Sequence, residues 1–264
     1  MGNKLKQNNK IMEDLIVAFY TKDRYPALIK AINSLDESTP YQLPILVIED
    51  QPKGRLNRNL SKLNLNRKMD FVYGESYPGN KPSKLNIVEL PSKSSCAHLM
   101  NLCFLLSGDK YRYVMSCNDD LVFKKGWFEH LEKAIKDGYE YILLHNHGAW
   151  VLDKKVLPKL GYFDERFQGG NCEDADLIAR AQRTDIKILN LWEEVPQKGL
   201  IIHEPFYYSS ACWDGSFNCK YFAKKWNGMT WPFGTNIKKQ IEDVDWFPSL
   251  TEKWKNENEK IKYI

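Results

Sequence analysis

No apolar run in this sequence approaches the roughly 20 residues needed to cross a bilayer, which excludes a membrane-spanning helix. The opening stretch, MGNKLKQNNK, lacks the apolar core of a secretory signal. Gly2 is followed by Lys6 where a myristoylation signal has Ser or Thr. Cys96, Cys103, Cys117, Cys172, Cys212 and Cys219 are scattered, with no CxxC pair among them. That excludes a cysteine-rich zinc cluster and fits reduced thiols in a cytoplasmic protein. There is no internal repeat, no low-complexity tract, and little net charge: the formal value is only +4. So mild an excess suits an anionic ligand or an ordinary surface equally, and does not call for nucleic acid.

What is present begins with a hydrophobic fraction of 43%, enough for a sizeable core, and with eight Trp and fourteen Tyr, many of them after residue 205. Flat rigid rings near a site can stack on sugars or bases, although most such rings pack cores.

The first half alternates strand and helix patterns. DLIVAFY (14–20) reads as a buried parallel strand, followed by RYPALIKAINSL (24–35) with Leu28, Ile29, Ile32 and Leu35 on one helical face. PILVIED (44–50) and LNIVEL (85–90) read as the second and third strands. A helix around 95–106 follows, with Leu99, Met100, Cys103 and Leu106 facing inward. YRYVMS (111–116) is the fourth strand, GWFEHLEKAIKDG a helix stopped by Gly138, and YILLH (141–145) the fifth strand. Such alternation predicts an α/β fold, a mostly parallel sheet with helices on both faces. Residues 51–70, with six basic side chains, interrupt it as a long connection or small insertion, and TEKWKNENEKIKYI closes the chain as a surface helix.

In such sheets ligands bind beyond the carboxyl ends of the strands. The polar residues leaving those ends are Thr21 and Arg24, Glu49 and Asp50, Ser94 and Ser95, and Asn118, Asp119 and Asp120. Carboxylates at a rigid strand end can present oxygen ligands for Mg²⁺ or Mn²⁺ and a diphosphate. Asp120 is the leading candidate, pointing with Asn118 to one side if the strand continues; a turn or cap is the commoner use of such a pair. A second cluster lies in GYFDERFQGGNCEDADLIARAQR (161–183), where Gly169 and Gly170 precede acids opening a helix. Acids there cap helices and meet the dipole favourably, or else Glu173 or Asp174 faces the cleft as a general base. His203 ends another apolar run, a setting in which a structural role is common.

Taken in this order, from about residue 14 to 228, the segments resemble nucleotide-sugar-dependent glycosyltransferases of the GT-A fold, particularly the inverting family-2-like group. IVAFYTKDRYPALIKAINSL is similar to their opening strand and helix, LVIED to the second strand, and NDDLVFKKGWFEHL to the DxD segment. LPKLGYFDERFQGGNCEDADLIARAQ is the most specific match, and YFAKKWNG resembles a Lys-Trp-Gly ending common in the group. The resemblance implies a hexosyl- or pentosyltransferase using a UDP- or GDP-sugar donor and a glycan or glycoconjugate acceptor. It implies Thr21 and Arg24 at the nucleotide, Asp50 with Glu49 at the base, and Mn²⁺ or Mg²⁺ on Asp120 and His203. It implies Asp174 as general base, with Glu173 or Asp176 orienting it or binding the acceptor. The departure is Asn118, uncharged where the DxD pattern begins with Asp; it can still bond a ribose or a metal-bound water, and Asp119 can compensate for the missing charge.

The expected organisation is a catalytic domain over 1–204, with a donor half at about 14–123 and an acceptor half at about 124–204. Residues 205–264 form an aromatic extension supplying lid and acceptor elements, with HNHGAW (145–150) a further acceptor candidate. Two other enzyme-fold readings compete: a catalytically silent nucleotide-sugar or carbohydrate-binding module, and a sugar nucleotidyltransferase. The latter usually has a glycine-rich loop after strand one, and FYTKDRYP has no glycine. Nucleic-acid binding through the basic insertion would show as affinity falling steeply with salt.

Overall fold

Strand β1 (Leu15–Thr21) is buried along its whole length, and the sheet is built outward from it. The computed structural model describes residues 14–22, 24–50, 70–72, 85–90, 94–145, 148–167, 172–192, 199–204 and 215–226. After β1 come α1 (Tyr25–Ser38), β2 (Ile45–Glu49), β3 (Asp70–Val72), β4 (Leu85–Glu89), α2 (Cys96–Leu106) and β5 (Tyr113–Asn118). These lead to β6 (Leu121–Phe123), α3 (Trp127–Lys136), β7 (Tyr141–His145), β8 (Ala149–Asp153) and a 3₁₀ turn (Lys154–Val156). Then follow α4 (Leu157–Leu160), α5 (Glu173–Gln182), β9 (Ile188–Asn190), β10 (Ile201–His203) and α6 (Gly215–Lys225).

Eight strands form the main sheet in the order β3-β4-β2-β1-β5-β8-β7-β9. Strand β8 alone runs against its neighbours, so the expected α/β architecture with a mostly parallel sheet is what the chain adopts. The path goes from β1 outward to β2, then returns to lay β5 on β1's other side. The switch point is therefore between β1 and β5, and in such sheets ligands bind there, beyond the strands' carboxyl ends.

Side-chain alternation along β1 divides the core in two. Leu15, Val17 and Phe19 pack with Leu28 and Ile32 of α1 and Trp127 and Phe128 of α3. Ile16, Ala18 and Tyr20 pack with Leu99, Met100 and Cys103 of α2 and Leu177 and Ile178 of α5. Leu106, expected inside, lies at the frayed end of α2 and is only partly covered. Ser95 caps α2 by accepting from the His98 N–H at 3.2 Å, and Gly138 ends α3 region with φ 83°, a conformation glycine adopts without strain.

Strands β3, β6, β8, β9 and β10 were not predicted from the sequence, and β5 is displaced from its expected bounds. Strand β3 starts at the edge of the supposed 51–70 connection, whose residues 51–69 lie outside the described ones. Strand β8 (Ala149–Asp153) begins within HNHGAW and is buried along its whole length. Strand β5 starts and stops two residues later than expected, reaching Asn118. The aromatic extension is described only over 215–226, and the C-terminal surface helix lies outside the described residues.

Helix α6 is pinned by buried charge. Lys225 Nζ lies 2.8 Å from Asp164 Oδ2 and 2.7 Å from Asp176 Oδ1, with all three side chains nearly closed to solvent. Asp164 also accepts from Tyr221 at 2.8 Å and pairs with Arg166 at 2.7 Å. Asp176 accepts from Trp226 Nε1 at 2.8 Å and pairs with Arg180 at 3.0 Å. Removing one member of such a set strands the others. Lys225→Ala is expected to lower unfolding stability by about 3 kcal/mol in urea titrations; a loss under about 0.5 kcal/mol would show the cluster to be solvated.

Candidate functional site

Strands β1 and β5 finish level, with Tyr20 opposite Asn118. Beyond Asn118 the strand stops, and Asp119 and Asp120 form a turn into β6. The alternation that would align Asp120 with Asn118 is thus broken. Asp119 instead accepts from Thr21 Oγ1 at 2.6 Å, while Arg24 spans both acids, 2.7 Å from Asp119 Oδ1 and 3.0 Å from Asp120 Oδ2. On the far side His203 Nε2 lies 3.0 Å from Asp120 Oδ1. It is brought there by antiparallel pairing of β10 with β6, which sets His203 opposite Leu121, and by the Glu204 N–H donating to Asp120 O at 2.9 Å.

The neighbouring acids differ in proton affinity. Burial pushes Asp119 up to about 7, against the opposing pull of Arg24 and Thr21. Burial also acts on Asp120, but the hydrogen bond and charge of His203, with Arg24, outweigh it and hold that carboxyl below its ordinary range. The same hydrogen bond raises His203, against partial burial.

Next along the rim, Glu49 and Asp50 are buried at the end of β2. Asp50 Oδ1 accepts from the Ser94 N–H at 2.6 Å, which fixes the segment entering α2, while Ser95 is engaged as the helix cap. On the opposite side Glu173 and Asp174 open α5, both buried, with Asp174 Oδ1 accepting from the Ala175 N–H at 2.7 Å. Asp176 takes no place in the cleft: it is turned into the Lys225–Arg180–Trp226 cluster. Cys172, in the left-handed region at φ 72°, turns the chain into α5; Gly169 and Gly170 lie outside the described residues.

Two side chains absent from the sequence-based candidates link these groups. Burial, then the charges of Glu173, Asp174 and Asp50, push the Cys96 thiol well up, while Arg24 pulls it down. Cys96 therefore stands within electrostatic reach of Glu173, Asp174, Asp50 and Arg24. Tyr20, raised well above the ordinary phenol range by burial and then by Cys96 and Glu173, stands beside it. The strand register was the available signal for Tyr20. His145, the first residue of the HNHGAW acceptor candidate, also comes near: its ring lies 5.9 Å from His203 and 4.2 Å from Trp192. A Cβ on Gly148 would come within 3.1 Å of its Nδ1, so glycine permits that fit.

Among the described residues no group of three or more His, Cys, Asp or Glu side chains converges as a metal site. Asp120 Oδ1 and His203 Nε2 nevertheless lie 3.0 Å apart, an oxygen and a nitrogen that are both able to ligate a divalent ion. Two protein donors match Mg²⁺ or Mn²⁺ bound largely through substrate phosphates and water. No helix is long and apolar enough to cross a membrane, among the described residues.

No protein-family profile and no curated protein matches the chain. Among solved structures it is similar to residues 1–349 of S. aureus TarS, with 12% identity and a TM-score of 0.54, covering 90% of this chain and 68% of that one. The same fragment in complex with UDP-GlcNAc gives 0.60 at 12% identity over 90% and 69% of the two chains. Against a longer TarS chain the score is 0.51 at 13% identity, over 92% of this chain but only 42% of that one. The likeness at these identities is one of fold.

Asp119 generates a test of the geometry. A carboxyl raised from its ordinary value to about 7 binds more protons folded than unfolded between about pH 4 and 7. Folding stability must therefore fall as pH rises through that window. Urea titrations at intervals from pH 4 to 8 should show the decline, and Asp119→Asn should flatten it; an unchanged slope would mean that Asp119 is already ionised at pH 4.

Proposed function

We propose that the chain is an inverting glycosyltransferase that moves a hexosyl or pentosyl unit from a UDP- or GDP-sugar to a hydroxyl of a glycan or glycoconjugate. The observation that carries this reading is the gathering of Thr21, Arg24, Asp119, Asp120 and His203 into one bonded set beyond the ends of β1 and β5. Arg24, the Asp119–Asp120 turn and His203 stand on the α1 side of the switch point, and the start of α5 stands across it.

The donor half comprises about 14–123. Thr21 and Arg24 meet the nucleotide, Glu49 and Asp50 the base, and Ser94 and Ser95 the rim between them. Asp120 and His203 would hold Mn²⁺ or Mg²⁺. The ion would offset charge developing on the departing nucleoside diphosphate. Arg24 already supplies positive charge at that place and would turn from the acids toward the phosphates as they arrive. Asp174 Oδ takes the acceptor hydroxyl proton as that oxygen attacks the anomeric carbon from the face opposite the leaving group. Glu173 beside it orients the hydroxyl. The acceptor half comprises about 124–204 with the aromatic extension at 205–264, whose rings suit the apolar faces of sugars.

A silent binding module on the same fold is the second reading, favoured by one observation: Arg24 engages Asp120, the carboxylate that a metal would need, together with Asp119. Two measurements separate the readings. A thermal-shift panel of UDP- and GDP-sugars should find a donor that, at a hundredfold over its dissociation constant, adds roughly 2.7 kcal/mol of stability, with the gain dependent on Mn²⁺ or Mg²⁺. Asp174→Asn should then reduce turnover by about a thousandfold while the donor KM stays within about threefold. If wild type and variant bind the donor alike and neither turns it over, the module reading stands; stabilisation that ignores metal would remove Asp120 and His203 from the donor set.

A further inference from the structure

The Tyr20 phenol donates a hydrogen bond to Asn118 Oδ1. These residues face each other in the parallel β1–β5 register, on the side of the sheet that packs α2 and α5. Asp119, the next residue, is directed to Thr21 and Arg24 on the α1 side. The DxD-like segment is thus split: its acids belong to one flank of the switch point and its asparagine to the other.

A carboxamide has one accepting end and one donating end. A phenol shut in beside Cys96, Glu173 and Asp174 keeps its proton, and that proton is given to Asn118 Oδ1. With Oδ1 occupied, Asn118 has only its Nδ2 amide left to offer. That amide makes no hydrogen bond among the described residues, although the side chain is half-buried at the cleft. We propose that Tyr20 positions Asn118 as a hydrogen-bond donor to a phosphate oxygen of the bound nucleoside diphosphate, and so takes position 118 out of the metal-binding set. This inference rests on the glycosyl-transfer reading and deepens it.

The chemistry explains the residue type. Phosphate oxygens only accept hydrogen bonds, so an amide complements them where a carboxylate would repel them. The corner already holds Asp119, Asp120, Glu173 and Asp174. A further anion at 118 would add to the charge that the diphosphate must meet on entering. Asn118 is in this view a change of sign, from acceptor to donor, and Tyr20 is the residue that fixes the sign.

The test is calorimetric titration of UDP and GDP, with MnCl₂ present, into wild type, Asn118→Asp, Asn118→Ala and Tyr20→Phe. The Asn118 side-chain NH₂ resonance is followed by NMR in wild type and Tyr20→Phe, and thermal melts check that each variant folds. The diphosphate bound by wild type should bind at least tenfold more weakly to Asn118→Asp and about fivefold more weakly to Asn118→Ala. Mn²⁺ affinity of Asn118→Ala without nucleotide, read by electron paramagnetic resonance, should change less than twofold. The NH₂ resonance should shift on nucleotide addition in wild type, and Tyr20→Phe should weaken binding about threefold and reduce that shift. Equal or tighter diphosphate binding by Asn118→Asp overturns the proposal, as does loss of Mn²⁺ binding in Asn118→Ala. If wild type binds neither UDP nor GDP, the glycosyl-transfer reading falls and this falls with it. If wild type binds and turns over a donor while Asn118→Asp binds as well as wild type, only this inference falls.

Discussion

Burying two adjacent carboxylates at the end of a strand is costly, and the rest of the rim is arranged around that cost. Arg24 spans the pair, Thr21 bonds one acid and His203 the other. Each of these contacts fixes a different part of the chain: the loop after β1, the β1 terminus itself, and β10. Relieving one electrostatic problem therefore holds three segments, far apart in sequence, at a single rim.

The division of proton affinity follows from the same arrangement. Asp119 is the more deeply enclosed, so burial dominates and its proton is held more firmly. Asp120 meets a histidine that can itself carry charge, and ionises readily. The acid left ionised is the one with an accessible nitrogen partner, which is the combination a divalent ion would exploit. Arg24 gives the cleft a way to hold those charges when no other cation is there.

Much of this was legible in the residues. The strand patterns from LIVAFY to YILLH carry period and boundary signals that depend on near neighbours alone, and they placed Thr21, Arg24, Asp50 and Asn118 at strand ends. What escaped reading was set by distant partners. Strand β3 has only three residues, too few to show a period. Strand β8 is buried because β5 and β7 flank it, and its aromatic Trp150 looked equally fit for a sugar. Asp176 could not be told from Asp174 by helix position, since what separates them is Lys225 and Trp226 some fifty residues later.

That last distinction also explains how the start of α5 is held in place. A helix whose first turn carries Glu173, Asp174 and Asp176 gains from the dipole, but three acids in one turn also repel one another. Arg180 and Lys225 compensate Asp176 inside the protein, so that acid becomes an anchor for α6 rather than a competitor in the cleft. With Asp176 held on the inner side, the helix cannot rotate about its axis without breaking a buried ion pair, which typically costs 3–5 kcal/mol. The orientation of Asp174 is thus secured from behind, by charges that never touch the cleft.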